Sequence, residues 1–93
     1  MSSSLTPFGR AIRDFRMERH LLLYDMSQAS GLSNAELSSI EMGRRAIPTD
    51  MIDRLEAIYA FGIRWRRKLE DGLSRTDNSP EAIIRRNQEG ARP

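Results

Sequence analysis

The chain has 93 residues, 39% hydrophobic and 30% charged, with a formal charge of +2 and no cysteine. That is one domain's worth of chain with a small core, held by neither disulfides nor a thiolate zinc site, and it leaves the redox compartment open. No apolar run approaches the about 20 residues of a membrane span. The start, MSSSLTPFGR, also lacks the charged head and apolar middle of a signal peptide, so a cytoplasmic protein is expected.

Charge is spread unevenly. Residues 1–63 hold seven arginines against eight acidic residues, net −1, whereas residues 64–93 hold eight basic against five acidic, net +3. An anion-binding face in the first two thirds must therefore rest on a few placed arginines and on helix N-termini.

Met1 to Leu5 reads as a mobile terminus. Thr6 suits an N-cap and Pro7 the first helical position, after which Phe8, Ala11, Ile12 and Phe15 recur at helical spacing. Arg10, Arg13, Asp14 and Glu18 take the opposite face, and this first helix should end near Arg19 or His20. A second helix is predicted over Leu22 to Ser30, with Met26 inward and Gly31 as a left-handed stop. The third, from about Ser33 to Met42, opens on a capping box of Ser33 and Glu36 and stops at Gly43. Leu32, Leu37 and Ile40 make its buried stripe, while Asn34, Ala35, Ser38 and Ser39 face away. Two short helices joined by a glycine turn make a helix-turn-helix, whose second helix lies in the DNA major groove.

The loop RRAIPT leads to a fourth helix, about Thr49 to Phe61, with Ile52, Leu55, Ile58 and Tyr59 inward and Gly62 as its stop. On a fifth helix Trp65, Leu69 and Leu73 form a narrow stripe that either covers the core or meets a second subunit, opposite Arg66, Arg67, Glu70 and Asp71. From Thr76 the chain turns polar, and Ser79-Pro80-Glu81 starts at most a turn or two holding Ile83 and Ile84. No segment alternates with period two. The expected fold class is all-α: a compact five-helix domain over residues 6–75 and a flexible C-terminal tail, disordered or short helix, over 76–93.

The patterns IRDFRMER, GLS, NAELSSIEMGRR and the following IP resemble the helix-turn-helix domain of phage repressors and Cro-like regulators, the lambda-repressor-like or XRE family. The resemblance covers roughly Phe8 to Gly62. It implies that Arg16 pairs with Glu41, an arginine fork on a carboxylate that locks helix one to helix three. It places Asn34, Ala35, Ser38 and Ser39, with Glu36 nearby, at base edges, which short polar and methyl side chains can read. Ser33, Arg44 and Arg45 fall where phosphate contacts are expected. The plainer alternatives are an ordinary polar helix face and solvated loop charges.

Two departures stand out. Where the family begins helix two with a polar cap and a phosphate-gripping glutamine, this chain has Leu22, Leu23 and Tyr24, which either form a protein-binding patch or cap the core. Where the family buries Ala and Leu later in that helix, Ser27 and Ser30 predict looser packing or a displaced helix.

An enzyme is not expected. His20 beside Arg19 has no matched nucleophile and better suits a helix C-terminus, where a cation is favoured. Glu36, Glu41, Asp50 and Asp53 are accounted for by caps and pairing, so neither a metal nor a cofactor is predicted. The resemblance implies a sequence-specific transcriptional regulator that binds a palindromic double-stranded DNA operator as a homodimer, with Trp65, Leu69 and Leu73 as the dimer or partner contact. The alternative is an antitoxin or antiactivator-type module that holds a partner protein, a toxin or an activator.

Overall fold

The computed structural model describes residues 5–90, and the expectations for residues 1–4 and 91–93 fall outside it. Its elements are α1 (Pro7–Glu18), α2 (Leu23–Ser30), α3 (Asn34–Glu41), α4 (Met51–Tyr59), α5 (Gly62–Ser74) and α6 (Pro80–Gly90). No strand occurs among the described residues, and the chain is all-α as expected.

α1 begins as its sequence dictates: the Thr6 hydroxyl accepts from the Gly9 N–H at 3.1 Å, with Pro7 in the first turn. Its end is less ordinary. His20 sits at φ 56°, its N–H donates to the Met17 carbonyl at 3.2 Å, and the Leu21 N–H donates to Arg16 at 2.8 Å. Those two bonds close a Schellman motif in which a histidine stands at the left-handed position that glycine usually fills.

α4 is shorter than predicted and does not stop at Gly62. Ala60 ends it in the left-handed conformation, φ 49° and ψ 46°, with its N–H on the Glu56 carbonyl at 2.7 Å, and Gly62 opens α5 instead. The inward stripe of α4 is Met51, Ile52, Leu55 and Tyr59. This leaves Ile58 at the edge of the stripe and 40% exposed, contrary to the inward placement expected.

One core collects Phe8, Ile12 and Phe15 of α1, Met26 of α2, Leu37 and Ile40 of α3, and the apolar faces of α4 and α5. Phe15 is its centre, meeting Tyr59, Phe61 and Trp65 edge-on at centroid distances of 5.2, 5.5 and 5.3 Å. Each such pair adds about 0.5–1.5 kcal/mol beyond the burial itself.

α1 and α5 run antiparallel and are hooked together at both ends. At one end the Thr76 hydroxyl accepts from the Phe8 N–H at 3.0 Å and donates to the Gly72 carbonyl at 2.7 Å. At the other, the Trp65 indole N–H donates to Glu18 at 3.1 Å. Trp65 and Leu69 are 4% and 1% exposed, and Leu73 packs half-buried against the same core. Of the stripe expected to form a dimer or partner contact, Trp65 and Leu69 are thus enclosed by the chain's own core, and only Leu73 keeps part of its surface open.

The segment assigned to the tail carries a helix of 11 residues rather than a turn or two. Its start is well made: the Ser79 hydroxyl accepts from the Ala82 N–H at 3.2 Å, and the Asp77 carboxylate accepts from the Ser79 N–H at 3.0 Å. The Ser79 bonds hold the Asp77 carboxyl below its usual range. Ala82 is fully buried, so α6 lies against the body of the domain.

Two left-handed positions give opposite expectations. A Cβ on Gly31 (φ +79°) would meet nothing within 4 Å, so Gly31→Ala isolates the backbone penalty and should cost about 1 kcal/mol. Ala60→Gly should gain a similar amount, about 1 kcal/mol, by removing that penalty. Urea unfolding followed by circular dichroism should move the midpoint down for the first and up for the second.

Candidate nucleic-acid interface

α3 is presented by its own sequence. The Ser33 hydroxyl accepts from the Glu36 N–H at 3.0 Å, and the Glu36 carboxylate accepts from the Ser33 N–H at 2.9 Å, closing a capping box. At about 100° per residue, Asn34, Ala35, Ser38 and Ser39 share one side of the helix while Leu37 and Ile40 take the other. Asn34 and Ala35 are exposed, and Ser38 and Ser39 are half-buried.

The turn before α3 is stitched by the two serines of α2. The Ser27 hydroxyl donates to the Leu32 carbonyl at 2.6 Å, the Ser30 hydroxyl donates to the Ser27 carbonyl at 3.4 Å, and the Leu32 N–H donates to Ser30 at 3.3 Å. Ser27 is only 5% exposed. Polar residues in place of Ala and Leu therefore fasten the turn, where the sequence had suggested looser packing. The cue available in the sequence was the habit of serine to bond backbone a few residues away.

The end of α3 is held harder still. The Arg16 guanidinium grips both oxygens of the Glu41 carboxylate, with Nη2 at 3.2 Å from Oε1 and Nη1 on Oε2. The side chains are 10% and 5% exposed, which makes this a buried pair between α1 and α3. The Glu41 carbonyl, one of the orphan acceptors at a helix end, accepts from the Thr6 N–H at 3.1 Å and the Thr6 hydroxyl at 3.2 Å. Such closeness requires Gly9, since a Cβ there would lie 1.9 Å from the Glu41 oxygen. Neither the Thr6 contact nor the role of Gly9 is legible in the sequence, because both depend on how α1 and α3 approach one another, and Thr6 and Glu41 are 35 positions apart in the chain.

After the Gly43 stop, the Arg44 N–H donates to the Ser39 carbonyl at 2.9 Å. Arg44 is half-buried, and the exposed Arg45 returns towards the start of α3 to pair with Glu36 at 3.4 Å. Ser33, Glu36 and Arg45 thus meet at one end of the helix. The Ser33 backbone hydrogen bond first, and Arg45 after it, hold the Glu36 carboxyl below its ordinary value of 4.5. Of the α2 start, Leu23 packs on the core, while Leu22 and Tyr24 are 68% and 57% exposed. Leu22 offers no side-chain acceptor, and only its N–H joins the cap, donating to Asp25 at 2.8 Å.

Removing one partner of the Arg16–Glu41 pair strands a buried charge. Glu41→Ala should cost about 3–5 kcal/mol, a large share of the stability of a domain this size, while replacing both residues with apolar ones should cost far less. An unchanged urea midpoint for Glu41→Ala would contradict this. For Glu36 the folded value lies below the unfolded one, so its contribution is complete above pH 4.5 and is lost as pH falls through the lowered folded value. Glu36→Gln, which preserves a capping box, should flatten that part of the acid-unfolding profile.

A helix-turn-helix family model matches residues 12–66. A curated relative, the "Uncharacterized HTH-type transcriptional regulator RghRB" of Bacillus subtilis (strain 168), is 39% identical over 44 residues, which are 47% of this chain and 32% of the relative. The match thus spans about a third of that relative's length. No solved structure matches the chain. With the matched segment running from the middle of α1 into α5, and the turn and capped α3 inside it, this chain belongs to the helix-turn-helix family of the lambda-repressor-like, XRE type.

Proposed function

We propose that the protein is a sequence-specific DNA-binding transcriptional regulator whose α3 enters the major groove. The observation that carries this reading is the exposed edge of α3, Asn34 and Ala35 with Ser38 and Ser39 beside them, on a helix fixed at both ends by hydrogen bonds. Asn can bond adenine at two points, Ala can touch a thymine methyl, and Ser serves several bases. Ser33, Arg44 and Arg45 would take phosphates and set the register of the helix on the duplex. Arg45 would then exchange its solvent-exposed partner Glu36 for a phosphate oxygen.

One head of this size touches few base pairs. A homodimer on a palindromic operator, with half-sites about 34 Å apart, would multiply the affinity. With Trp65 and Leu69 enclosed, apolar surface for a second copy is left at Leu22, Ile58 and Ile63, which are 68%, 40% and 61% exposed. The same exposure of Leu22, together with Tyr24, favours a second reading, the antitoxin or antiactivator type of module that binds a partner protein.

The test is a titration of labelled DNA from the protein's own upstream region against scrambled DNA, at two salt concentrations. Selective binding that Asn34→Ala weakens by about 1–3 kcal/mol on the upstream DNA, and leaves unchanged on the scrambled DNA, is expected. Weak binding, equal on both and abolished by salt, would reflect phosphate attraction alone and turn the search to a protein partner of Leu22 and Tyr24.

A further inference from the structure

The loop of residues 43–47 carries Arg44 and Arg45 and has no regular structure of its own, yet both its ends are tied to the segment after α5. Arg86 of α6 donates through Nη1 to the Gly43 carbonyl at 3.0 Å and through Nη2 to the Asp77 carbonyl at 2.7 Å. Asn87, one residue further, donates to the Arg44 carbonyl at 3.1 Å. At the far end of the loop, Asn78 accepts from the Ile47 N–H at 3.0 Å and returns a bond to the Ile47 carbonyl at 3.4 Å. The contact at Gly43 is close, since a Cβ there would lie 2.8 Å from Arg86 Nη1.

All of these loop contacts go to backbone atoms, so they fix the path of the loop without using the Arg44 and Arg45 side chains. The matched family segment ends at residue 66, and these braces lie wholly beyond it. We infer that Asn78 and α6 brace the loop 43–47 from behind, so that Arg44 is held beside the end of α3 and Arg45 beside its start before any nucleic acid arrives. Residues 76–90 thereby become part of the nucleic-acid-binding unit. Asn78, Arg86 and Asn87 act as positioning residues, reducing the ordering that phosphate contact would otherwise demand of the loop. This inference rests on the DNA-binding reading above.

The test compares the full chain with its Asn78→Ala/Arg86→Ala variant by two readouts. Without DNA, hydrogen exchange of the Ile47 amide and its neighbours should speed up by about tenfold relative to the core helices. With upstream DNA, the slope of log affinity on log salt should shrink by about one per reading head as a phosphate contact is lost, and Arg86→Lys, which keeps a donor for Gly43, should retain the slope. A core variant such as Ile52→Val, which only lowers stability, should leave the slope alone. Unchanged exchange in the loop would overturn the brace, and faster exchange with an unchanged slope would overturn its positioning role. A wild-type chain that binds no DNA would overturn the DNA reading, leaving exchange to decide whether the brace exists.

Discussion

Glu41 is the residue on which the arrangement of this domain depends. Its carboxylate is gripped by Arg16 and its carbonyl is capped by Thr6, so one residue at the end of α3 is bonded to both the start and the later turns of α1. An eight-residue helix is too short to be stable alone in water. α3 has only Leu37 and Ile40 fully inside the core, so its orientation comes largely from these polar hooks. α1 can serve as their fixed base because α5 holds it along its length, through Thr76 at one end and Trp65 at the other.

The approach of α3 is governed in the same way by short-range hydrogen bonds. Ser27 and Ser30 close the turn, Ser33 and Glu36 cap the helix, and Arg45 is drawn back to Glu36. Every one of these contacts leaves the outward edge of the helix clear. Apolar burial around Phe15 supplies the stability of the domain, and buried or capped polar groups decide which way its short helices point.

Much of this was legible in the sequence because it is local. Thr6-Pro7, the Ser33 and Glu36 pair and Gly31 each act over three or four residues, and the structure places each in the predicted role. The helix end that was not legible is the one closed by a residue other than glycine inside the expected helix. Ala60 takes a left-handed conformation that its side chain does not advertise, so α4 stops two residues before its expected C-terminal end and Gly62 opens α5 instead. The Trp65, Leu69 and Leu73 stripe had the right period, but periodicity cannot say whether a face meets its own core or another subunit. α6 looked weak because its anchorage lies in Asn78, Arg86 and Asn87, polar side chains that bond a loop some 30 to 43 residues away. Gly9 was invisible for the same reason, since its value lies in the approach of another helix.

The most direct test of α3 as the reading element is an amide chemical-shift map of the isotope-labelled full chain, titrated with duplex DNA from its own upstream region. The largest changes should fall on Ser33 to Ser39 and on Arg44 and Arg45, with α5 little affected. Shifts that leave those residues unmoved, or that gather instead around Leu22, Tyr24, Ile58 and Ile63, would contradict it.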